Sequence, residues 1–419
     1  MMKRKIAGLL LAVTMAVGMT GCAGSSNTGT AAPAGNQTEA AAKEEPSANQ
    51  PKEESGDTIK IGFYGPLTGA SSVVGVEGQK AVELAVKEAN EAGGINGRQL
   101  ELISYDDAQN TETSVKVVTR LVESDKVTAI IGSHISGSIL ATVDISEAAK
   151  VVQIGSGTSP IWTNIGLKYT FRGTACSDQF NIDCYKSMET MGATKIATLA
   201  GETEYAQTAA GTIHDLVKDG GKMEVVAQEN FTTGDTDFSG QIVKIIAAGA
   251  DGVYVVGGSE DMGKIVKQLR QKGYEGYIYG IEPFGAPDAK SVAGDAFDNI
   301  VFSCCYFVPD SVEEASSEIE KEFLEKFVAE FGALPTSEVA YRDYDGTNIL
   351  IEAMRNAKTL DGDGIREAIL SMKYTGIGGN FDFSADNGEG LSTGNTFIAV
   401  KGKIQMLDEY LKNLSLIHI

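Results

Sequence analysis

A strand–helix alternation runs through this chain twice, and few folds can accommodate it. Short runs rich in Val and Ile (Ile59–Tyr64, Leu100–Tyr105, Val127–Ile131, Val151–Ile154) alternate with amphipathic stretches at Gly75–Ala92, Thr111–Ser124 and Ser138–Ala149. Runs that are apolar on both faces belong in a parallel sheet covered by helices on each side. The alternation restarts at Asp178. Helices at Asp178–Met191, Gln207–Lys218, Phe238–Ala248 and Met262–Gln271 separate strands at Ile196–Leu199, Glu224–Ala227, Gly252–Val256, Tyr277–Gly280 and Val301–Phe307. Long helices are expected at Val312–Phe331 and Ser337–Asn356. The expected class is α/β, with two doubly wound parallel-sheet lobes and a cleft between them at the carboxyl ends of the strands.

The two ends read differently. Lys3, Arg4 and Lys5 precede an apolar stretch, Ile6–Val17, and Met19-Thr20-Gly21-Cys22 closes it, so residues 1–21 read as a secretion signal. The stretch is shorter than the roughly 20 residues a helix needs to span a bilayer. Its closing tetrapeptide resembles the bacterial lipobox, with Met19 where Leu is usual, which makes Cys22 the expected lipidation site and a lipid the only expected membrane contact. Residues 22–57 hold almost no large apolar side chain and are expected to be a disordered tether. The expected location is the outer face of the cell membrane. At the other end, Leu414–Ile419 is the in-frame translation of a transposon adapter used in sequencing libraries. We read 414–419 as a sequencing artefact and set it apart from the fold.

Composition removes several functions. The formal charge is −22, and no Lys/Arg cluster interrupts the globular part, so nucleic acid and anionic headgroups are not expected partners. Beyond Cys22 the cysteines are Cys176, Cys184, Cys304 and Cys305, none in a C-x-x-C pattern. With only His134 and His214 ahead of the tail, no metal site and no cofactor is expected. Cys304 and Cys305 are neighbours on a strand and point to opposite faces, while Cys176 and Cys184 lie too far apart along a helix to pair. Buried thiols are expected, with one long-range bridge as the alternative. No G-x-S-x-G, H-E-x-x-H or G-x-x-x-x-G-K motif is present, and an enzyme is not expected.

Three loops that follow strands are candidates for a ligand site. Gly132-Ser133-His134-Ile135-Ser136-Gly137-Ser138 leads into a helix, whose free N–H groups and positive dipole suit a carboxylate; Ser136 is equally placed to be a simple cap. Gly155-Ser156-Gly157-Thr158-Ser159-Pro160 offers hydroxyls and bare backbone, or a plain turn. Ile281-Glu282-Pro283-Phe284 brings a carboxylate to the cleft, where Glu282 would suit an ammonium, or leaves a solvated loop acid.

These loops, together with Ile59-Lys60-Ile61-Gly62-Phe63-Tyr64-Gly65-Pro66-Leu67-Thr68-Gly69, Glu91-Ala92-Gly93-Gly94-Ile95-Asn96-Gly97-Arg98, Tyr105-Asp106-Asp107-Ala108, Glu204-Tyr205-Ala206 and Asp237-Phe238-Ser239, resemble the branched-chain amino-acid-binding family of ABC-transporter receptors in order and spacing, from Thr58 to about Lys403. The resemblance implies a type I periplasmic-binding fold whose lobes are joined by three crossings, near Thr174, Cys305 and Gly376. Lobe 1 is then 58–175 plus 306–376, and lobe 2 is 176–305 plus 377–413. It also implies that Ser136 and Thr158 hold the carboxylate of an amino acid, that the Gly157 carbonyl and Glu282 hold its ammonium, and that Tyr205 closes over it. Ser156, Trp162, Val74, Ser259 and Phe284 are the candidate pocket-lining residues, with core packing the alternative for Trp162. Two departures stand out. Leucine-binding relatives carry aromatics where this chain has about Val74 and Ser259, and the cysteine pair of some relatives corresponds to about Gln109 and Ile135.

The implied function is a monomeric receptor that captures a neutral, branched-chain-type amino acid and delivers it to a membrane permease driven by a cytoplasmic ATPase. The alternatives are a receptor for a short amide or aromatic acid, and a sensor that does not take part in transport.

Overall fold

The computed structural model describes residues 58–417 except 393; the expected signal, the tether and the Cys22 site lie outside the described residues. The first lobe opens with β1 (Ile59–Gly65), α1 (Ser72–Glu91), β2 (Leu100–Asp106), α2 (Thr111–Arg120), β3 (Ala129–Gly132), α3 (Ser136–Ala149), β4 (Val152–Gly155) and β5 (Thr170–Arg172). Its sheet is parallel throughout, in the order β2-β1-β3-β4-β5. The second lobe holds α4 (Ser177–Thr190), β6 (Lys195–Gly201), α5 (Glu204–Gly220), β7 (Glu224–Phe231), α6 (Ser239–Ala247), β8 (Gly252–Val256), α7 (Ser259–Gln271), β9 (Tyr277–Ile281), α8 (Pro287–Ala293) and β10 (Ile300–Cys304). The chain then returns to the first lobe for α9 (Glu318–Phe331), α10 (Val339–Asn356), α11 (Gly362–Ser371) and the hairpin β11 (Lys373–Gly376) and β12 (Gly379–Asp382). It ends in the second lobe with β13 (Asn395–Val400), β14 (Lys403–Met406) and α12 (Leu407–Ile417), so four of the six residues set apart at the C-terminus, 414–417, continue that helix. The second sheet runs β14-β13-β10-β9-β8-β6-β7, parallel except for its two last-added strands.

The strands form where the apolar runs lie. Ile61, Phe63, Ile131 and Ile154 are buried on one face of the first sheet, while Tyr64 and Ile130 are buried on the other with Val118 and Leu121. Burial on both faces is the reason that these runs show no alternation. Two expectations are corrected. The helix expected from Val312 starts at Glu318, because the Ser317 hydroxyl accepts from the Glu320 N–H as an N-cap; Val312–Glu314 is a single 3₁₀ turn. The third crossing runs between Leu391 and Asn395, not near Gly376. Asp345 on α10 accepts from the Ile377 and Gly378 N–H groups, and Phe383 packs edge-on against Phe171, which hold the hairpin and the turn after it on the first lobe. The crossings run side by side: Ala175 bridges Leu391, and the Thr174 hydroxyl lies 3.8 Å from the Cys305 sulfur. All four described cysteines are free thiols, and burial raises the pKa of each. Among the described residues no helix is long and apolar enough to cross a membrane, and no cluster of side chains could hold a metal.

Candidate functional site

A cavity of about 330 Å³ lies between the lobes, at the carboxyl ends of both sheets. From the first lobe, the turn after β3 feeds α3. Gly132 makes that turn with φ +120°, and a Cβ there would sit 2.1 Å from the Tyr64 carbonyl oxygen, so only glycine fits. The residue preceding α3 is Ile135, which supplies no side-chain cap. The first N–H groups of α3, at Ser136, Gly137 and Ser138, therefore meet the cavity with the positive end of the helix dipole. Thr158, on the loop after β4, is buried beside them. The second lobe contributes Glu282, which opens the 3₁₀ turn after β9, and Glu204 and Tyr205, which open α5.

Two hydrogen bonds span the cleft. Thr158 Oγ1 donates to Glu282 Oε1 at 2.5 Å, and Ser159 Oγ donates to Glu204 Oε1 at 2.7 Å. Among the described residues the charged side chains lining the cavity are Glu204, Glu282, Glu338 and Arg342. Glu338 precedes α10, and its Oε1 accepts from Arg342 Nη2 at 2.9 Å. Burial works against the Arg342 charge, but Glu338 and then Glu282 outweigh it and hold its pKa above the ordinary arginine value. Burial raises the pKa of Glu338, opposed by Arg342. Glu204 takes two hydroxyls, from Ser159 and Thr208, at the positive end of its own helix. Glu282 is only loosely paired: Arg342 stops 3.9 Å away, and Glu282 Oε2, like Glu204 Oε2, is buried with no hydrogen-bond partner. The Tyr205 hydroxyl lies close enough to Glu282 that, after burial, this carboxylate pushes its pKa well above the tyrosine value. Burial, and then the charge of Arg342, lower His134 to about 3, so this cavity residue is a neutral imidazole near pH 7.

Four residues expected in the site sit behind it. Gly157 is not in the cavity wall, and its carbonyl accepts from the Arg172 guanidinium rather than facing an ammonium. What Gly157 provides is closeness: a Cβ there would lie 2.8 Å from Ser136 Oγ, so glycine lets the second loop press onto α3. Ser156 is buried and not part of the wall, and its carbonyl lies 3.5 Å from Arg342 Nη1. Trp162 is a core residue, packed with Ile139 and Val143, and the Arg172 guanidinium stacks on its ring at 4.0 Å. Phe284 is buried in the second core against Phe297 and Phe302. Ser136, Thr158, Tyr205, Glu282, Val74 and Ser259 do line the cavity. Arg172, fully buried, fixes the second loop. Nη2 donates to Ser159 O at 2.8 Å and Thr163 Oγ1 at 2.9 Å, and Nε pairs with Glu389 at 2.8 Å.

Comparison with known proteins places this geometry. A family model described as periplasmic binding protein matches residues 58–402. The chain belongs to that family. Among relatives of this periplasmic binding protein is the leucine-, isoleucine-, valine-, threonine- and alanine-binding protein of Pseudomonas aeruginosa, 28% identical over 335 residues, covering 78% of this chain and 86% of that one. The branched-chain amino acid transporter substrate-binding protein LivJ of Streptococcus pneumoniae, solved with isoleucine, is 30% identical with a TM-score of 0.73, covering 83% of this chain and 98% of that one. A Rhodopseudomonas palustris solute-binding protein solved with benzoate has a TM-score of 0.75 at 20% identity, covering 84% and 96%, which shows the shared fold alone.

The sequence reading missed Arg342, Glu338, Glu204 and His134 as wall residues. A signal was present for the first two. Glu338 and Arg342 stand one helical turn apart in a stretch where Val339, Ala340 and Tyr341 are apolar, and charges set so deep in an apolar helix need partners.

Proposed function

We propose that this periplasmic binding protein is the extracytoplasmic receptor of an ABC importer, and that it captures a neutral α-amino acid between its lobes. The juxtaposition of the uncapped N-terminus of α3 on one lobe and the partnerless Glu282 Oε2 on the other carries the reading. A buried zwitterion needs both of its charges matched. The α3 N–H groups, Ser136 and Thr158 suit its carboxylate, Glu282 suits its ammonium, and Tyr205 closes over it. A solute that touches both lobes favours the closed form, which a permease driven by a cytoplasmic ATPase would then receive. The names of the relatives support an amino acid. The wall supports it against an aromatic acid, because its three carboxylates outnumber its one guanidinium and an ammonium on the solute would offset that excess. A monomer held at the membrane by a lipid on Cys22 completes the reading.

The test is a thermal-shift panel of the twenty amino acids, short amides and small aromatic acids on the purified chain. Ligand at a hundredfold excess over Kd adds about 2.7 kcal/mol to stability, enough to move the melting point by several degrees. At least one neutral amino acid should do so and benzoate should not. A shift with benzoate and with no amino acid overturns the reading.

A further inference from the structure

We infer that the solute's side chain is polar and uncharged, bearing a hydroxyl or a carboxamide and not an aliphatic group. This rests on the amino-acid reading of the cleft. The carboxylate seat lies after β3 and β4, Glu282 faces it from the turn after β9, and the sheet order β2-β1-β3-β4 places the loops after β1 and β2 on the far side of β3. The cavity extends to those loops, so the solute's side chain points there. Beyond the seats the wall carries Ser71, Gln109, Thr111, Thr233, Ser259 and Ser337 beside Val74, Ile135, Pro283 and Val339, and its rings are Tyr205 and the His134 imidazole.

Gln109 is held for this position at a cost. Ala108 and Gln109 both have left-handed backbone, φ +50° and +55°, which non-glycine residues adopt only when their surroundings enforce it. The buried Asp107 enforces it by accepting from the Gln109 N–H at 2.9 Å. Ser71 Oγ donates to Gln109 Oε1 at 2.6 Å, which fixes the carboxamide and leaves its N–H groups as donors toward the cavity. Ser259 Oγ donates to Asp288 Oδ2 at 2.7 Å and keeps its lone pairs as acceptors. The wall therefore offers both donors and acceptors. An isobutyl or isopropyl group pressed against it would leave these groups unpaired, and a site built to hydrogen-bond a substrate group discriminates strongly against the analogue that lacks it. A third charge is no better served: Arg342 is committed to Glu338, Glu282 to the solute's own ammonium, and Glu204 takes the Ser159 and Thr208 hydroxyls at the positive end of its own helix.

The experiment is calorimetry on the purified chain with pairs of similar shape: threonine against valine, asparagine against leucine, and glutamine against methionine. The polar member of at least one pair should bind on the order of tenfold tighter or better, and Gln109→Met should shrink that ratio. Equal or tighter binding by the aliphatic or thioether member of every pair that binds overturns the inference and leaves the amino-acid reading standing. Binding by no amino acid at all overturns both. A preference that Gln109→Met leaves unchanged, with Ser259→Ala equally without effect, also overturns the inference, because the discrimination then does not come from this wall.

Discussion

Replacing Arg172 with methionine tests how the ligand loop is held. The guanidinium is fully buried and stacks on Trp162 at 4.0 Å. It donates to the Gly157 and Ser159 carbonyls and to Thr163, and it pairs with Glu389 from the stretch just before the third crossing. Methionine keeps an apolar stem but leaves two carbonyls without donors and Glu389 with only the Thr163 hydroxyl. Removing one partner of a buried ion pair costs about 3–5 kcal/mol. The Glu389 side chain is 21% exposed and can take water, which moves the expected cost toward the lower end of that range. Loss of the cation–π contact, up to about 2 kcal/mol when desolvated, moves it back up. The terms share atoms and do not add, so about 3–5 kcal/mol is expected in total. In a chain of this size that is a melting-point drop of roughly 5–10 °C by calorimetric scan. Thr158 sits between the two carbonyls that Arg172 holds, so affinity for the solute should fall with stability. A variant that melts within about 1 °C of the parent and binds equally well would show that the loop needs no such clamp.

Further outcomes follow from other residues. Asp343 is buried and its pKa is raised to about 6, chiefly by burial, against Ser156 and Arg342. The folded form keeps a proton that the unfolded chain loses near 3.8, so this residue makes stability fall as pH rises from about 4 to 6. Asp343→Asn should flatten that part of the curve by up to about 3 kcal/mol, read from urea unfolding at pH 4 and pH 7; an unchanged slope would refute it. Thr158→Val keeps shape but loses a hydrogen bond to a charged group, so solute binding measured by calorimetry should weaken by about 1.5–3 kcal/mol. In its host the protein should partition into detergent, and Cys22→Ala should abolish this; equal partitioning by both forms would count against the lipid anchor.

The two-lobed α/β fold was legible because apolar runs such as Ile59–Tyr64 and Gly252–Val256, buried on both faces, have few other uses. The loops of the site were legible for a related reason: they must follow parallel strands. The path of the third crossing was not, because Asp345 holds Ile377 and Gly378 through contacts more than 30 residues away in sequence. The same limit explains Trp162 and Gly157. Their partner Arg172 lies in a three-residue strand, β5, too short to announce itself by pattern, and a buried arginine looks in sequence like any surface one. Arg342 and Glu282 meet only when the two lobes are brought together.

The most direct test of the central claim, an ammonium held by Glu282, is a double-perturbation cycle by calorimetry. The amino acid that binds best and its α-hydroxy analogue are each titrated into the parent and into Glu282→Gln. If Glu282 receives the ammonium, the parent should prefer the amino acid, Glu282→Gln should lose on the order of 2–5 kcal/mol for it, and the loss for the hydroxy analogue should be much smaller. Equal losses for both ligands, or none for either, would contradict the claim and leave Glu282 as a latch to Thr158.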